Sequence, residues 1–270
     1  MKIPNLGSRK NRILLKELVK TDFKLRYQGS LLGYLWAVLR PMMLFAILYV
    51  VFAKILKMGS DIPHYPVYLL AGTVLWSFFS ECTNQGIQAI VARGDLLRKI
   101  SFPKWIIVVS ATVTALINFL INLGVVIIFA IINGVTPNLG WLLVPLIILE
   151  LYLLSLGISF FLGAINVKYR DISSIWEVFM QALFYAVPVI YPITMVASAS
   201  PLAAKIFLLN PIAQVIQDVR YFLITDQTIT TWNYLENRLL YLIPLGLVSL
   251  VIILGGIYFR KRSKYFAEEA

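Results

Sequence analysis

The chain has 270 residues, 60% of them hydrophobic and 14% charged, with a formal net charge of +11. A soluble domain has roughly 45–50% apolar and about 25% charged residues; a chain this long cannot hide such an excess in a core, so the surplus faces lipid. The same numbers exclude disorder and a nucleic-acid-binding domain, and the positive charge suits the cytoplasmic surface of a membrane.

Residues 1–30 carry eight Lys/Arg and no apolar core ahead of a small-residue cleavage site, unlike a secretory signal. Residues 11–27 predict an amphipathic helix. Leu14, Leu15, Leu18, Val19, Phe23 and Leu25 share one half of the helical wheel, and Lys16, Lys20 and Lys24 share the other. Asp22 and Arg26 intrude on the apolar half. The pattern suits an interfacial helix on anionic headgroups, or a helix packed on a partner protein.

Six crossings of about 20 apolar residues follow. They are expected over 35–56, 65–91, 105–132, 139–166, 175–196 and 239–259. No charge falls between Lys104 and Glu150, and Asn133-Gly134-Val135-Thr136-Pro137-Asn138 divides that stretch into two spans. Pro188 and Pro192 interrupt the fifth span. Residues 199–224 hold Lys205, Asp218 and Arg220, and Asn210-Pro211 cuts them into halves too short to cross. They predict a re-entrant or interfacial pair on the external side.

Charge asymmetry sets the orientation. Eighteen basic residues precede span one, follow span six, or lie in the loops after spans two and four; five lie in the remaining loops. The positive-inside rule places both termini in the cytoplasm and requires an even number of crossings. The expected fold class is therefore an all-α polytopic membrane protein with six transmembrane helices.

Span two carries Glu81, Asn84, Gln85 and Gln88 on one face, and span three carries Thr114, Asn118 and Asn122. Such groups avoid lipid and face other helices or a water-filled path. Phe45, Tyr49 and Phe52 form an aromatic stripe in span one, and Phe179, Phe184, Tyr185 and Tyr191 surround the prolines of span five. Aromatic stripes serve packing, and their faces also stack on sugar rings. Glu150 has no basic residue within its own span. The lone His64 and Cys82, with no P-loop, argue against a zinc site, a catalytic triad, a disulfide framework or bound ATP.

Several segments, in order, resemble the permease subunit of type-2 ABC exporters of polysaccharides such as O-antigen, capsule and teichoic acid. They are Arg26-Tyr27-Gln28-Gly29-Ser30-Leu31-Leu32-Gly33-Tyr34-Leu35-Trp36 with Arg40-Pro41, Gly72, and Trp76-Ser77-Phe78-Phe79. Leu97–Lys104 with Phe102-Pro103, Tyr169-Arg170-Asp171-Ile172, and Asn210-Pro211 with Arg220 complete the set. The resemblance covers residues 10–262.

That resemblance implies a single transmembrane domain over 1–270, in the bacterial inner membrane, working as a homodimer above two nucleotide-binding subunits. ATP and magnesium would sit on those subunits, with no cofactor, metal or catalytic residue in this chain and no nucleic acid as partner. The cargo would be a polyprenyl-diphosphate-linked polysaccharide. By the same resemblance, residues 11–27 form an interface helix, 93–101 a coupling helix and 199–224 an external gate. Gly94, Asp95, Leu96, Leu97, Arg98 and Lys99 would meet the ATPase, and Tyr169, Arg170 and Asp171 form a cytoplasmic motif. Asn210, Pro211 and Arg220 would belong to the gate. Arg26, Tyr27, Trp36 and Arg40 become candidates for the lipid diphosphate. Phe45, Tyr49, Phe52, Trp76, Glu81, Phe184, Tyr185 and Tyr191 become candidates for the channel wall. An exporter of a drug or small lipid, and a membrane enzyme using Glu81 with Glu150 on lipid-linked sugars, are the competing readings.

Overall fold

Every regular element of the computed structural model is helical among the residues it describes, 9–59, 62–235 and 238–269; the side chains of residues 27, 238, 267 and 268 also lie outside the description. Helix α1 covers Arg9–Tyr27 and α2 Trp36–Leu48, which widens into a π-helix over Tyr49–Ile55. Helices α3 (Tyr65–Gln88), α4 (Gly94–Lys99), α5 (Trp105–Ile132) and α6 (Val144–Asn166) follow. Then come α7 (Ile172–Ala186), α8 (Ile193–Ala199), α9 (Pro201–Leu208) and α10 (Pro211–Leu223). The chain ends with α11 (Thr231–Tyr234), α12 (Leu242–Arg262) and α13 (Phe266–Glu269). Proline punctuates the starts: α3, α6, α9 and α10 each carry one in their first turn, where its missing N–H costs no helical hydrogen bond.

Four helical segments are long and apolar enough to cross a membrane: Gly33–Ile55, Trp105–Ile132, Leu139–Asn166 and Leu239–Arg262. A fifth is reached if α9 and α10, bent by 92° at Asn210-Pro211, count as one span. Two expected crossings differ. Helix α3 has 24 residues but is not apolar enough to join the four. It is instead largely enclosed, with seventeen buried residues. The expected span over 175–196 is not one helix: α7 stops at Ala186 and the chain is extended at Val187. Proline at 188 disfavours helical geometry in the residue before it. The 15 residues of α7 reach about 22 Å, short of a hydrocarbon core of about 30 Å.

Arg220 holds that break. Its side chain is fully buried. Nη1 donates to the Pro188 carbonyl at 2.7 Å and Nη2 to the Val189 carbonyl at 2.6 Å. Nε donates to the Tyr68 carbonyl at 3.1 Å, and the guanidinium lies 3.6 Å from the Tyr68 ring centroid. The expected gate residue is thus a clamp joining α10, α3 and the extended segment. A Cβ at Gly72 would lie 2.7 Å from the Val189 carbonyl that Arg220 holds, so glycine leaves the room this contact needs. Asn210 caps α10, accepting from Ile212 N at 2.9 Å, and Pro211 follows at the first helical position.

Among the described residues two hydrophobic clusters run through the long helices, and a third, small one joins Ile193, Ala204 and Leu208 of α8 and α9. The larger joins α3, α5, α6 and α10. The smaller joins Ala89, Ile90, Leu97, Ile107, Ala164, Val167, Phe259 and Phe266, gathering the ends of α3, α5, α6 and α12 with α4 and α13. The basic segments around 93–104, 168–170 and 260–264 therefore share one end of the bundle. Helices α6 and α12 cross at glycines: a Cβ on Gly157 would meet the Ile252 backbone at 2.8 Å, and one on Gly255 the Gly157 carbonyl at 2.3 Å. Small residues permit such backbone approach in membranes.

Gly255→Leu is expected to destabilise the protein by about 1–3 kcal/mol through overpacking, while Gly256→Leu, whose added Cβ meets open space, leaves it near the parent. Thermal unfolding in detergent compares the two, and equal midpoints would refute the crossing. Arg220→Leu takes a donor from the Pro188, Val189 and Tyr68 carbonyls, at about 1–3 kcal/mol for each one left unpaired. The same melts should show a large fall, and a parental midpoint would contradict the clamp.

Candidate functional site

Near the basic end, the two polar rows read from the sequence converge. The helical period puts Glu81, Asn84 and Gln85 on one face of α3, and Asn118 and Asn122 on one face of α5. Both faces, the start of α2 and the end of α1 line a cavity of about 1060 Å³. Arg26, Ser30, Trp36, Arg40, Trp76, Ser77 and Ser80 complete much of its wall.

Glu81 is the hub. Its Oε1 accepts from Arg26 Nη1, from Gln85 Nε2 at 3.0 Å and from Asn118 Nδ2 at 2.9 Å. The Arg26–Glu81 ion pair joins α1 to α3, with both side chains about 70% shielded. Asn122 Nδ2 donates to the Ala37 carbonyl at 3.0 Å, tying α5 to α2. The interhelical hydrogen bonding open to these rows is therefore realised at Asn118 and Asn122, while Thr114 bonds back to Ser110 of its own helix.

A second ion pair lies one turn back on α1. Asp22 accepts from Arg93 Nη2, and Arg93 Nη1 donates to Ser110 Oγ at 2.8 Å. Asp22 belongs to the half-buried stripe of α1 with Leu14, Leu15, Leu18, Val19 and Phe23, whereas Leu25 is 61% exposed. The two intruders on the apolar half thus both tie α1 to other helices through ion pairs. Their charges were the available sign of this link; the partners were unreadable because they lie 71 and 55 positions away.

The chamber brings together Arg26, Trp36, Arg40, Trp76 and Glu81 of the expected residues. Tyr27 ends α1, and its side chain is outside the described residues. Phe45, Tyr49 and Phe52 do not line the chamber; they pack, half-buried, against the main core, with Phe45 edge-on to Phe129 at 5.7 Å. Phe184 meets Trp76 behind the chamber at 5.5 Å and Tyr185 at 5.3 Å. Tyr185 is exposed, and Tyr191 donates to its carbonyl at 2.9 Å.

In α4, Leu97 is buried in the smaller core and Leu96 half-buried, whereas Asp95, Arg98 and Lys99 are exposed and Gly94 is buried. Tyr169, Arg170 and Asp171 lie exposed between α6 and α7. Glu150 sits in a separate network: Gln214 Nε2 reaches it at 3.5 Å and Asp218 at 2.6 Å, and Tyr241 lies 3.4 Å from Asp218. Glu81 and Glu150 therefore make no catalytic pair.

The chain resembles known proteins over most of its length. The family described as ABC-2 type transporter matches residues 13–224. An O-antigen export system permease protein, RfbA of Myxococcus xanthus, is 32% identical over 200 residues, which is 74% of this chain and 76% of the relative. RfbA of Klebsiella pneumoniae is 28% identical over 256 residues, 94% of each chain. The polysialic acid transport protein KpsM of Escherichia coli is 24% identical over 196 residues, 69% of this chain and 73% of the relative. With most of α1 and all of α2 to α10 inside the matched region, three long apolar segments within it and a fourth beyond it, this chain is a multi-pass membrane protein that belongs to the ABC-2 type transporter family.

Proposed function

We propose that this chain is the permease of an ATP-driven exporter that carries a polyprenyl-diphosphate-linked polysaccharide out of the cytoplasm. The observation that carries the reading is the chamber at the basic end, where Arg26 and Arg40 stand beside Trp36 and Trp76. Guanidinium groups suit phosphate, and indole faces suit the apolar faces of sugars. The relatives named as O-antigen and polysialic acid transport proteins support the same cargo class.

The basic end faces the cytoplasm, with both termini there and six crossings in all: α3 is one, and α7 with its extended break is the other beyond the four apolar spans. Helix α1 lies at the membrane surface with Lys16, Lys20 and Lys24 toward headgroups. The pair α9–α10 is external. Two copies of the chain form the path, above two nucleotide-binding subunits that hold ATP and magnesium. A second copy is supported by unshielded apolar surface: the most apolar stretch of Gly33–Ile55 has no buried residue, and that of Leu239–Arg262 only 17%. The exposed face of α4 docks on the ATPase, while Leu97 anchors that helix to the smaller core.

A strain lacking this chain is expected to accumulate lipid-linked glycan on the cytoplasmic leaflet, measured by extraction and chromatography; no accumulation would overturn the cargo. For the coupling face, Lys99→Glu should cut stimulation of the partner's ATPase about tenfold, the effect of about 1.4 kcal/mol, at an unchanged melting midpoint. Leu97→Ala should lower the midpoint instead, costing about 2–5 kcal/mol as a core truncation. Parental stimulation in the Lys99 variant would refute this docking face.

A further inference from the structure

Four features of the chamber bear on how it is regulated. First, Glu81 Oε1 takes three donors, and only one of them, Arg26, is charged. If Arg26 leaves, Gln85 and Asn118 still satisfy the carboxylate, so releasing the arginine does not strand a buried anion. Second, Arg40 lines the same cavity, is exposed, and has no ion-pair partner among the described residues. With Arg26 held by Glu81, Arg40 is the exposed guanidinium on the wall; release of Arg26 from Glu81 turns a second one toward an incoming anion. Third, the Arg26–Glu81 pair is only partly shielded, so an incoming anion has access to it. A diphosphate carries more charge and more acceptor oxygens than one carboxylate and outcompetes it for a guanidinium fork. Fourth, Arg26 shares α1 with Asp22, whose partner Arg93 directly precedes α4. A change at Arg26 is therefore one helical turn from the segment that leads into α4.

We propose that Glu81 is an internal stand-in for the phosphate of the cargo: it holds Arg26 while the chamber is empty, and an incoming diphosphate displaces it by anion exchange. The exchange involves no bond breakage and no proton. Glu81 stays on Asn118 and Gln85, Arg26 and Arg40 close on the diphosphate, and α1 is freed from α3. This regulatory role rests on the reading that the chamber receives a lipid diphosphate.

The test uses the complex of this chain with its ATPase in phosphatidylcholine nanodiscs, titrated with undecaprenyl diphosphate. Glu81→Gln removes the competing charge and keeps an amide oxygen for Asn118 and Gln85. It is expected to bind the probe about two- to fivefold more tightly than the parent, the range set by a partly exposed ion pair. Arg26→Gln should bind more weakly, and the double variant should match Arg26→Gln alone, because Glu81 has nothing left to hold. If Glu81→Gln gives a poor yield, Glu81→Ala, which also removes the competing charge, should show the same tightening. If Glu81→Gln binds as the parent does while Arg26→Gln is weakened, the stand-in role falls and the diphosphate reading survives. If neither variant changes affinity, the chamber does not read the diphosphate and both fall. Inorganic pyrophosphate as a second probe locates the recognition: tightening with it supports exchange with the phosphates themselves. Equal tightening toward phosphatidylglycerol would overturn the assignment to a diphosphate.

Discussion

A carboxylate two-thirds of the way along a helix cannot face hydrocarbon. Placing a charge at membrane depth costs at least about 2.5–3.5 kcal/mol even on the mildest scales. Glu81 therefore requires that the helix bearing it be surrounded by protein and that donors converge on it. Much of the architecture answers that need. Helix α3 is largely enclosed, α5 turns its asparagine row inward, and α1 reaches over with Arg26. Where three polar surfaces meet, side chains cannot close-pack as apolar ones do, and the chamber is the space that remains.

The same residue type solves two different problems in this chain. Arg220 is sealed from solvent among backbone carbonyls and an aromatic ring. Two of its donors satisfy the Pro188 and Val189 carbonyls where α7 stops and the extended segment begins, and a third bonds the Tyr68 carbonyl of α3. Arg26 sits on the rim of a cavity, pairs with one carboxylate and remains partly exposed. Burial makes the first a fixed structural part. Access makes the second open to exchange.

Much of this was legible in the sequence, for reasons that can be traced. The 19-residue α1, the short α4 and the break at Asn210-Pro211 follow from helical periodicity, charge runs and proline chemistry, which are local. The chamber's polar lining was visible as two one-sided rows. What stayed hidden depended on distant pairing. Asp22 and Arg26 read as flaws in an amphipathic face until their partners Arg93 and Glu81 are placed. The aromatic stripe of α2 is set by helical spacing, yet the helix widens into a π-helix at Tyr49, and the rings turn to the core instead of the chamber. Span five misled because hydropathy sums over the prolines that end α7.

The glycine crossing of α6 and α12 has a consequence for where this molecule may be cut. The family match ends at residue 224, before α12 begins. Yet Gly157 of α6 presents bare backbone to Ile252 and Gly255 at a distance no side chain would tolerate. That groove is shaped to one occupant. Lipid tails are too mobile to fill it as α12 does, so a fragment ending at the family boundary would keep its motifs and lose the surface that seals them. The boundary drawn by resemblance and the boundary drawn by packing are different, and the second governs what folds.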